Sequence, residues 1–193
     1  KPLPDPITSS IFVGQDFNLS PMSSVIAQVN GNSIHVFDEI KMLGSNTDEV
    51  VEELKRRYPH SKVVIFPDPA SRQKKTSAGG RTDFSILQNA GFEVRARNFH
   101  TPIRDRVNSL NAMLKTASGE RRLFIDPKCK NTIESLERLT YKEGTNTINK
   151  DDGHDHFFDS LSYMVDYLFP IKRQTETDDT QVWNFGVANR KRW

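Results

Sequence analysis

Apolar and polar positions change rhythm along this chain, and each change marks an element. Ile11–Phe17 (IFVGQDF) is a short β-type run that Asn18–Pro21 interrupts. Ser24–Val29 and Ser33–Ile40 are two further strand-like runs, joined by Asn30-Gly31, a dipeptide that suits a tight hairpin turn. Three strands meandering antiparallel are therefore predicted. From Asn46 the period lengthens: Val50, Val51 and Leu54 share one face of a helix reaching Arg57, and Glu49 completes a capping box with Asn46. Lys62–Phe66 (KVVIF) is apolar without a break, as a strand with neighbours on both sides requires, and Pro67-Asp68-Pro69 stops it.

Past that stop, helical and extended rhythms alternate. Ser71–Arg81 is a basic loop with a glycine pair, Asp83–Ala90 a short helix closed by Gly91, and Phe92–Arg97 a strand. Arg104–Thr116 is an amphipathic helix, Arg122–Ile125 a short strand, and Thr132–Tyr141 another helix. A polar loop, Lys142–Asp152, leads to the final helix, Gly153–Leu168. Hairpin strands followed by strand–helix alternation define an α/β fold with a mixed sheet, three antiparallel strands then parallel ones, flanked by helices. If the strand after the first helix runs parallel to the first strand, the right-handed crossover sets their C-terminal ends side by side. Those ends carry Asp16 and Asp68.

Composition narrows the class without naming a chemistry. The 193 residues, 35% hydrophobic and 27% charged, suit one domain with a leader over 1–10, a body over 11–169 and a tail over 170–193. No apolar run approaches the ~20 residues that span a bilayer, so no membrane association is expected. The lone Cys129 excludes an internal disulfide framework and suits a reducing compartment. Net charge is only +2, yet bases gather at 72–81, 95–106 and 190–192. No phosphate-binding loop of the G-x-x-x-x-G-K-[ST] type occurs, and the first residue is Lys, which suggests a fragment of a longer polypeptide.

The last helix changes this picture. Phe157, Phe158, Leu161, Met164, Val165 and Leu168 recur at helical spacing, while Asp155, Asp159, Ser162 and Asp166 form a polar stripe with no cation on it. Unpaired carboxylates set close together favour a divalent metal, although an acidic first turn also answers to the helix dipole. Asp16 at the end of a central strand is either a metal ligand or a cap for the turn at 18–20. Asp68 is either a ligand or a turn residue of the Pro-Asp-Pro stop. Asp38 and Glu39 read as surface acids, with Glu39 a candidate outer member of the site, and Asp166 as ordinary surface.

Four stretches in this order, IFVGQDFN at 11–18, VVIFPDPAS at 63–71, the segment 102–142 and HDHFFDSLSY at 154–163, resemble a known family. It is the C-terminal nuclease domain of tailed-phage terminase large subunits, within the ribonuclease-H-like, RuvC-type nucleases. The resemblance covers most of residues 11–168. It implies that Asp16, Asp68 and Asp159 bind metal, that His156 acts beside them in proton transfer or water ordering, and that Asp155 is an additional candidate ligand. It implies two divalent cations, Mg²⁺ or Mn²⁺, and cutting of concatemeric viral DNA during genome packaging. It also implies a preceding ATPase domain, a portal ring and small terminase subunit as partners, and work in the host cytoplasm at the prohead.

Charge placement adds a DNA surface to that expectation. Arg72, Lys74, Lys75 and Arg81 follow Asp68 closely and suit contacts to double-stranded DNA phosphates, which carry no sequence information. The isolated domain is expected to be a monomer. Two rival classes remain: a junction resolvase or transposase-like nuclease on the same fold, and a non-catalytic module docking DNA or a portal.

Overall fold

The computed structural model describes residues 10–18, 20–72, 81–145 and 147–171. The leader before residue 10, loop positions 73–80 with Lys74 and Lys75, and the tail beyond Ile171 lie outside the described residues. Among the described residues no helix is long and apolar enough to cross a membrane.

Three strands open the fold: β1 (Ile11–Asp16), β2 (Met22–Asn30) and β3 (Ser33–Met42). They pair antiparallel in succession, and Gly31 turns the hairpin with φ +58°. The capped helix α1 (Thr47–Arg57) crosses back to β4 (Val63–Pro67), which lies parallel to β1. A 3-10 turn at Pro69–Arg72 and helix α2 (Asp83–Asn89) lead to β5 (Glu93–Val94). Helix α3 (Ile103–Leu114), strand β6 (Leu123–Ile125), helix α4 (Lys130–Arg138) and helix α5 (Asp155–Leu168) follow. The six strands order as β5-β4-β1-β2-β3-β6, with β6 parallel to β3 at the far edge. This is the expected mixed sheet, with β1 and β2 at its centre.

Each face of the sheet has its own core, and strand parity decides which side chains join which. Ile11, Val13, Ile26, Ile40, Val63 and Ile65 face α1 and α2, meeting Val50, Leu54, Ile86 and Leu87. Val25, Ala27, Val36, Val64 and Phe66 face the opposite way, against Leu110 and Met113 of α3 and Phe157, Phe158, Leu161 and Met164 of α5. Because side chains alternate along a strand, Phe12, Gly14 and Asp16 share the α5 side, as do Val64, Phe66 and, just past the strand end, Asp68. Both aspartates thus face the helix that carries Asp159.

Helix α5 lies unusually close to the sheet. Ser160 and Ser162 are fully buried, and the Ser160 hydroxyl donates to the Ser23 carbonyl oxygen at 2.9 Å. Ser23 Oγ donates to the carbonyl oxygen of His156 at 3.0 Å. A Cβ at Gly14 would stand 2.0 Å from the Ser160 carbonyl oxygen, so only glycine allows this approach.

Several expectations need correction. The strand expected over 92–97 contracts to Glu93–Val94, because the chain leaves the edge after Arg95 so that Arg97 reaches Asp166. Helix α4 begins at Lys130 rather than Thr132, held by Glu39: its carboxylate accepts from the Asn131 and Thr132 N–H groups at 2.9 and 2.8 Å. Glu39 is therefore a cap supplied across the sheet edge, not a surface acid. Asp38 likewise binds Arg57 at 2.9 Å and the Tyr58 hydroxyl at 2.5 Å. Asp166 is 5% exposed and accepts from Arg97 and Thr101, both at 2.8 Å, which removes it from the surface.

Candidate active site

The topology brings three elements to one place. Asp16 at the end of β1, Asp68 just past β4 and Asp159 in the second turn of α5 line a single polar cavity of about 340 Å³. Asn18, Ser71, Asp83, Lys150 and Tyr163 complete much of its wall. The three aspartates singled out from the sequence are therefore neighbours, although β1 and α5 lie far apart in the chain.

Each carboxylate has a distinct setting. Asp16 is 5% exposed; its Oδ2 accepts from Asn18 Nδ2 at 2.8 Å and lies 3.2 Å from His156 Nδ1. Burial pushes the Asp16 carboxyl above the usual carboxylate range; the His156 bond opposes this and the neighbouring Asp159 charge adds to it. His156 is raised in turn, chiefly by its bond to Asp16, against a burial effect of opposite sign. Asp68 makes the tight turn that the Pro-Asp-Pro sequence predicts, accepting from Ala70 N–H at 2.9 Å, and its Oδ1 lies 3.6 Å from His100 Nδ1. It serves the turn and the cavity at once, so the two readings of Asp68 are compatible.

Asp159 is the most constrained. Arg106 of α3, itself 5% exposed, donates from Nη1 to Asp159 Oδ1 at 2.7 Å, and Lys150 Nζ lies 3.2 Å from Oδ2. Ser162 also accepts from Arg106 Nη1, and the guanidinium stacks 4.5 Å from the Tyr163 ring. Asp155 pairs with Lys150 at 3.0 Å through Oδ2, while its buried Oδ1 has no hydrogen-bond partner among the described residues. Burial and the nearby Asp159 charge push the Tyr163 hydroxyl far above the usual phenol range, so it remains protonated in the cavity wall.

Sequence reasoning missed Arg106 and Lys150. The cations absent from the acidic stripe of α5 come from elsewhere: Arg106 from α3, Lys150 from the preceding loop, and Arg97 for Asp166. Nothing local marks Arg106 as buried, since it reads as a polar position of an amphipathic helix. Asp83 was legible only as a helix start, yet it is 4% exposed in the cavity wall and accepts from Thr47 Oγ1 at 2.6 Å.

Of the expected DNA contacts, Arg72 donates to Asn98 Oδ1 and to the Ala96 carbonyl oxygen and lies 4.9 Å over the Phe84 ring. Arg81 pairs with Asp48 at 3.4 Å in an exposed position. Lys74 and Lys75 fall outside the described residues.

The donor chemistry of the cavity, hard carboxylate oxygens with few competing bases, matches what Mg²⁺ or Mn²⁺ takes. With the side chains as they stand, no group of three or more His, Cys, Asp and Glu among the described residues encloses one ion. Arg106 and Lys150 hold one oxygen of Asp159 each. The aspartates fit the metal in kind and direction, provided that Asp159 is released by one of these two cations.

A mixed sheet of this order, with acids at the ends of the adjacent parallel strands β1 and β4 and on a long closing helix, defines a ribonuclease-H-like fold. The family model described as the terminase RNaseH-like domain matches residues 13–168, and the chain belongs to that family. Solved structures of similar fold include the large terminase of a thermophilic bacteriophage, at 17% identity and a TM-score of 0.63, covering 85% of this chain and 41% of that one. The P22 large terminase nuclease domain matches at 16% identity and a TM-score of 0.63, over 88% and 87% of the two chains. The nuclease domain of the large terminase from bacteriophage SPP1, solved with bound Mn, matches at 14% and 0.53, over 80% and 84%. This chain thus spans about two fifths of the large terminase from the thermophilic phage. A comparison with curated proteins gives no match.

Proposed function

We propose that this domain is a divalent-metal-dependent DNA endonuclease that cuts concatemeric viral DNA during genome packaging. One observation carries the reading: Asp16, Asp68 and Asp159, from three separate elements, line one polar cavity. Carboxylates gathered around one cavity repel one another and cost stability unless a cation answers them, which is what a metal site supplies. Membership of the terminase RNaseH-like family and the Mn bound by the SPP1 domain support the same conclusion.

Asp16, Asp68 and Asp159 would hold the metal, with Asp155 as a further ligand. Two bound Mg²⁺ or Mn²⁺ ions would supply a hydroxide-like water and charge neutralisation at the scissile phosphate. His156, half-buried and carrying a raised pKa through Asp16, is suited to orient a water or move a proton at Nδ1. Arg106 fixes the direction of the Asp159 carboxylate. Lys74, Lys75, Arg72 and Arg81 follow Asp68 and would line the path of duplex DNA through phosphate contacts without sequence readout. Arg72 would join such a path only through a guanidinium already bonded to Asn98. Work at the prohead in the host cytoplasm, with a portal ring, a small subunit and a packaging ATPase, belongs to the same proposal, with the 170–193 tail as a docking arm.

Plasmid cleavage tests this. The purified chain should nick or linearise supercoiled DNA with Mn²⁺ or Mg²⁺, and EDTA should stop it. Asp16→Ala and Asp159→Ala should each lose at least ~100-fold in rate, since removing one ligand or misplacing it by about 1 Å has that scale of effect. Full cutting by either variant, with unchanged metal dependence, overturns the site.

A further inference from the structure

We propose that Lys150 is an internal counter-ion that competes with metal for Asp155 and Asp159, so that metal takes these carboxylates only by displacing its ammonium. The inference rests on the metal-dependent reading above and concerns how the same site is regulated. Lys150 Nζ sits 3.0 Å from Asp155 Oδ2 and 3.2 Å from Asp159 Oδ2, bridging two acids one helical turn apart. A cation shared by Asp155 Oδ2 and Asp159 Oδ2 would compete for the ground that the ammonium holds. The ammonium and a divalent ion cannot occupy it together.

Of the two cations on Asp159, Lys150 is the one able to leave. Arg106 is locked: its side chain is 6% exposed, bonded to Ser162 and stacked between Tyr163 and Phe158. The Lys150 side chain is 51% exposed and comes from the polar loop ahead of α5 on a flexible four-carbon stem. Displaced, its ammonium rehydrates at once, whereas a displaced Arg106 would be left charged and dry.

A second observation marks the site as arranged for a different occupant. Asp155 Oδ1 is buried with no hydrogen-bond partner among the described residues, and His156 Nε2 lies 3.9 Å away, beyond hydrogen-bond reach. Lys150 answers one oxygen of Asp155 and leaves the other orphaned, a cost that a protein avoids unless another ligand takes it up. A divalent ion with several open coordination positions does so.

Competition predicts that removing the ammonium tightens metal binding. In calorimetric titration of the 193-residue chain with Mn²⁺ in the absence of DNA, Lys150→Met should bind about tenfold more tightly than the parent, within the ~5–150-fold span of ordinary site coupling. Lys142→Met is the control: Lys142 pairs with Asp151 in the same loop, so it removes equal charge without vacating the carboxylates. The control should change affinity less than about twofold. Equal tightening in both variants, or no tightening in Lys150→Met, overturns the proposal, and weaker binding in Lys150→Met makes Lys150 a support of the site instead. A second measurement uses the parent protein: acylation of Lys150 by an amine-reactive reagent, read by mass spectrometry against Lys142, should rise several-fold with saturating Mg²⁺. Unchanged or reduced labelling overturns displacement. If the parent binds no Mn²⁺ at all, the metal-dependent reading itself fails, which is distinct from a parent that binds and a Lys150→Met that binds no better.

Discussion

Gly14→Ala probes the contact on which the whole site depends. A Cβ at Gly14 would stand 2.0 Å from the Ser160 carbonyl oxygen and 2.8 Å from its carbon, where ordinary contact begins at 3.4 Å. Relief therefore needs a separation of β1 and α5 of about 1.4 Å (3.4 less 2.0). No flexible side chain can absorb it, since the obstacle is the backbone of a helix whose Ser160 hydroxyl is bonded to the Ser23 carbonyl. Overpacking in a core costs about 1–3 kcal/mol, and a backbone obstacle sets this case near the top, at about 3 kcal/mol. For a domain of this size each kcal/mol lowers the thermal midpoint by roughly 2–4 °C, so a fall of about 6–12 °C is expected. Circular dichroism melting in EDTA reads this directly, and urea unfolding gives the free energy. The same displacement carries Asp159 and His156 away from Asp16, so Mn²⁺ affinity should fall as well. A variant melting within about 1 °C of the parent with unchanged Mn²⁺ affinity would show that close approach at Gly14 does not seat α5.

Two further perturbations separate structural charge from catalytic charge. Arg106→Ala leaves Asp159 buried beside Asp16 with the half-exposed Lys150 as its remaining partner among the described residues, and should cost about 3 kcal/mol in urea unfolding. Arg106→Ala combined with Asp159→Asn should recover part of that loss; a single-variant cost below about 0.5 kcal/mol would refute the pairing. pH gives the second test, in EDTA. The raised pKa of His156 means that the folded state holds its proton more tightly than an unfolded chain with a value near 6.5. Its contribution is complete below 6.5 and is lost as pH rises through the raised folded value. Asp16 has the same sign from its unfolded 3.8 upward, so the metal-free protein should melt at lower temperature at pH 9 than at pH 6. His156→Asn should flatten the part of this slope above pH 6.5, and parallel slopes in the two proteins would remove the His156–Asp16 bond as its cause.

Hydrophobic rhythm alone determined most of the architecture. Period-2 runs, the Asn30-Gly31 turn and the Asn46–Glu49 capping box are local signals, each arising from backbone preferences that act before tertiary contacts form. Given the parallel pairing of β4 with β1 that the structure shows, the crossover rule brings Asp16 and Asp68 together at adjacent strand ends. Element ends were less legible. β5 shortens because Arg97 is drawn to Asp166, and α4 starts early because Glu39 caps it from β3, and neither partner is near in sequence. The acidic stripe of α5 illustrates the same limit within the site. Its residues predicted a cluster of negative charge, but which acids stand open and which are already answered depends on Arg97, Arg106 and Lys150, supplied from three other parts of the chain. Burial of a charge is a property of what packs over it. Only the tertiary structure could decide that Asp166 is tied down by Arg97, that Arg106 fixes Asp159, and that Lys150 occupies the ground between Asp155 and Asp159.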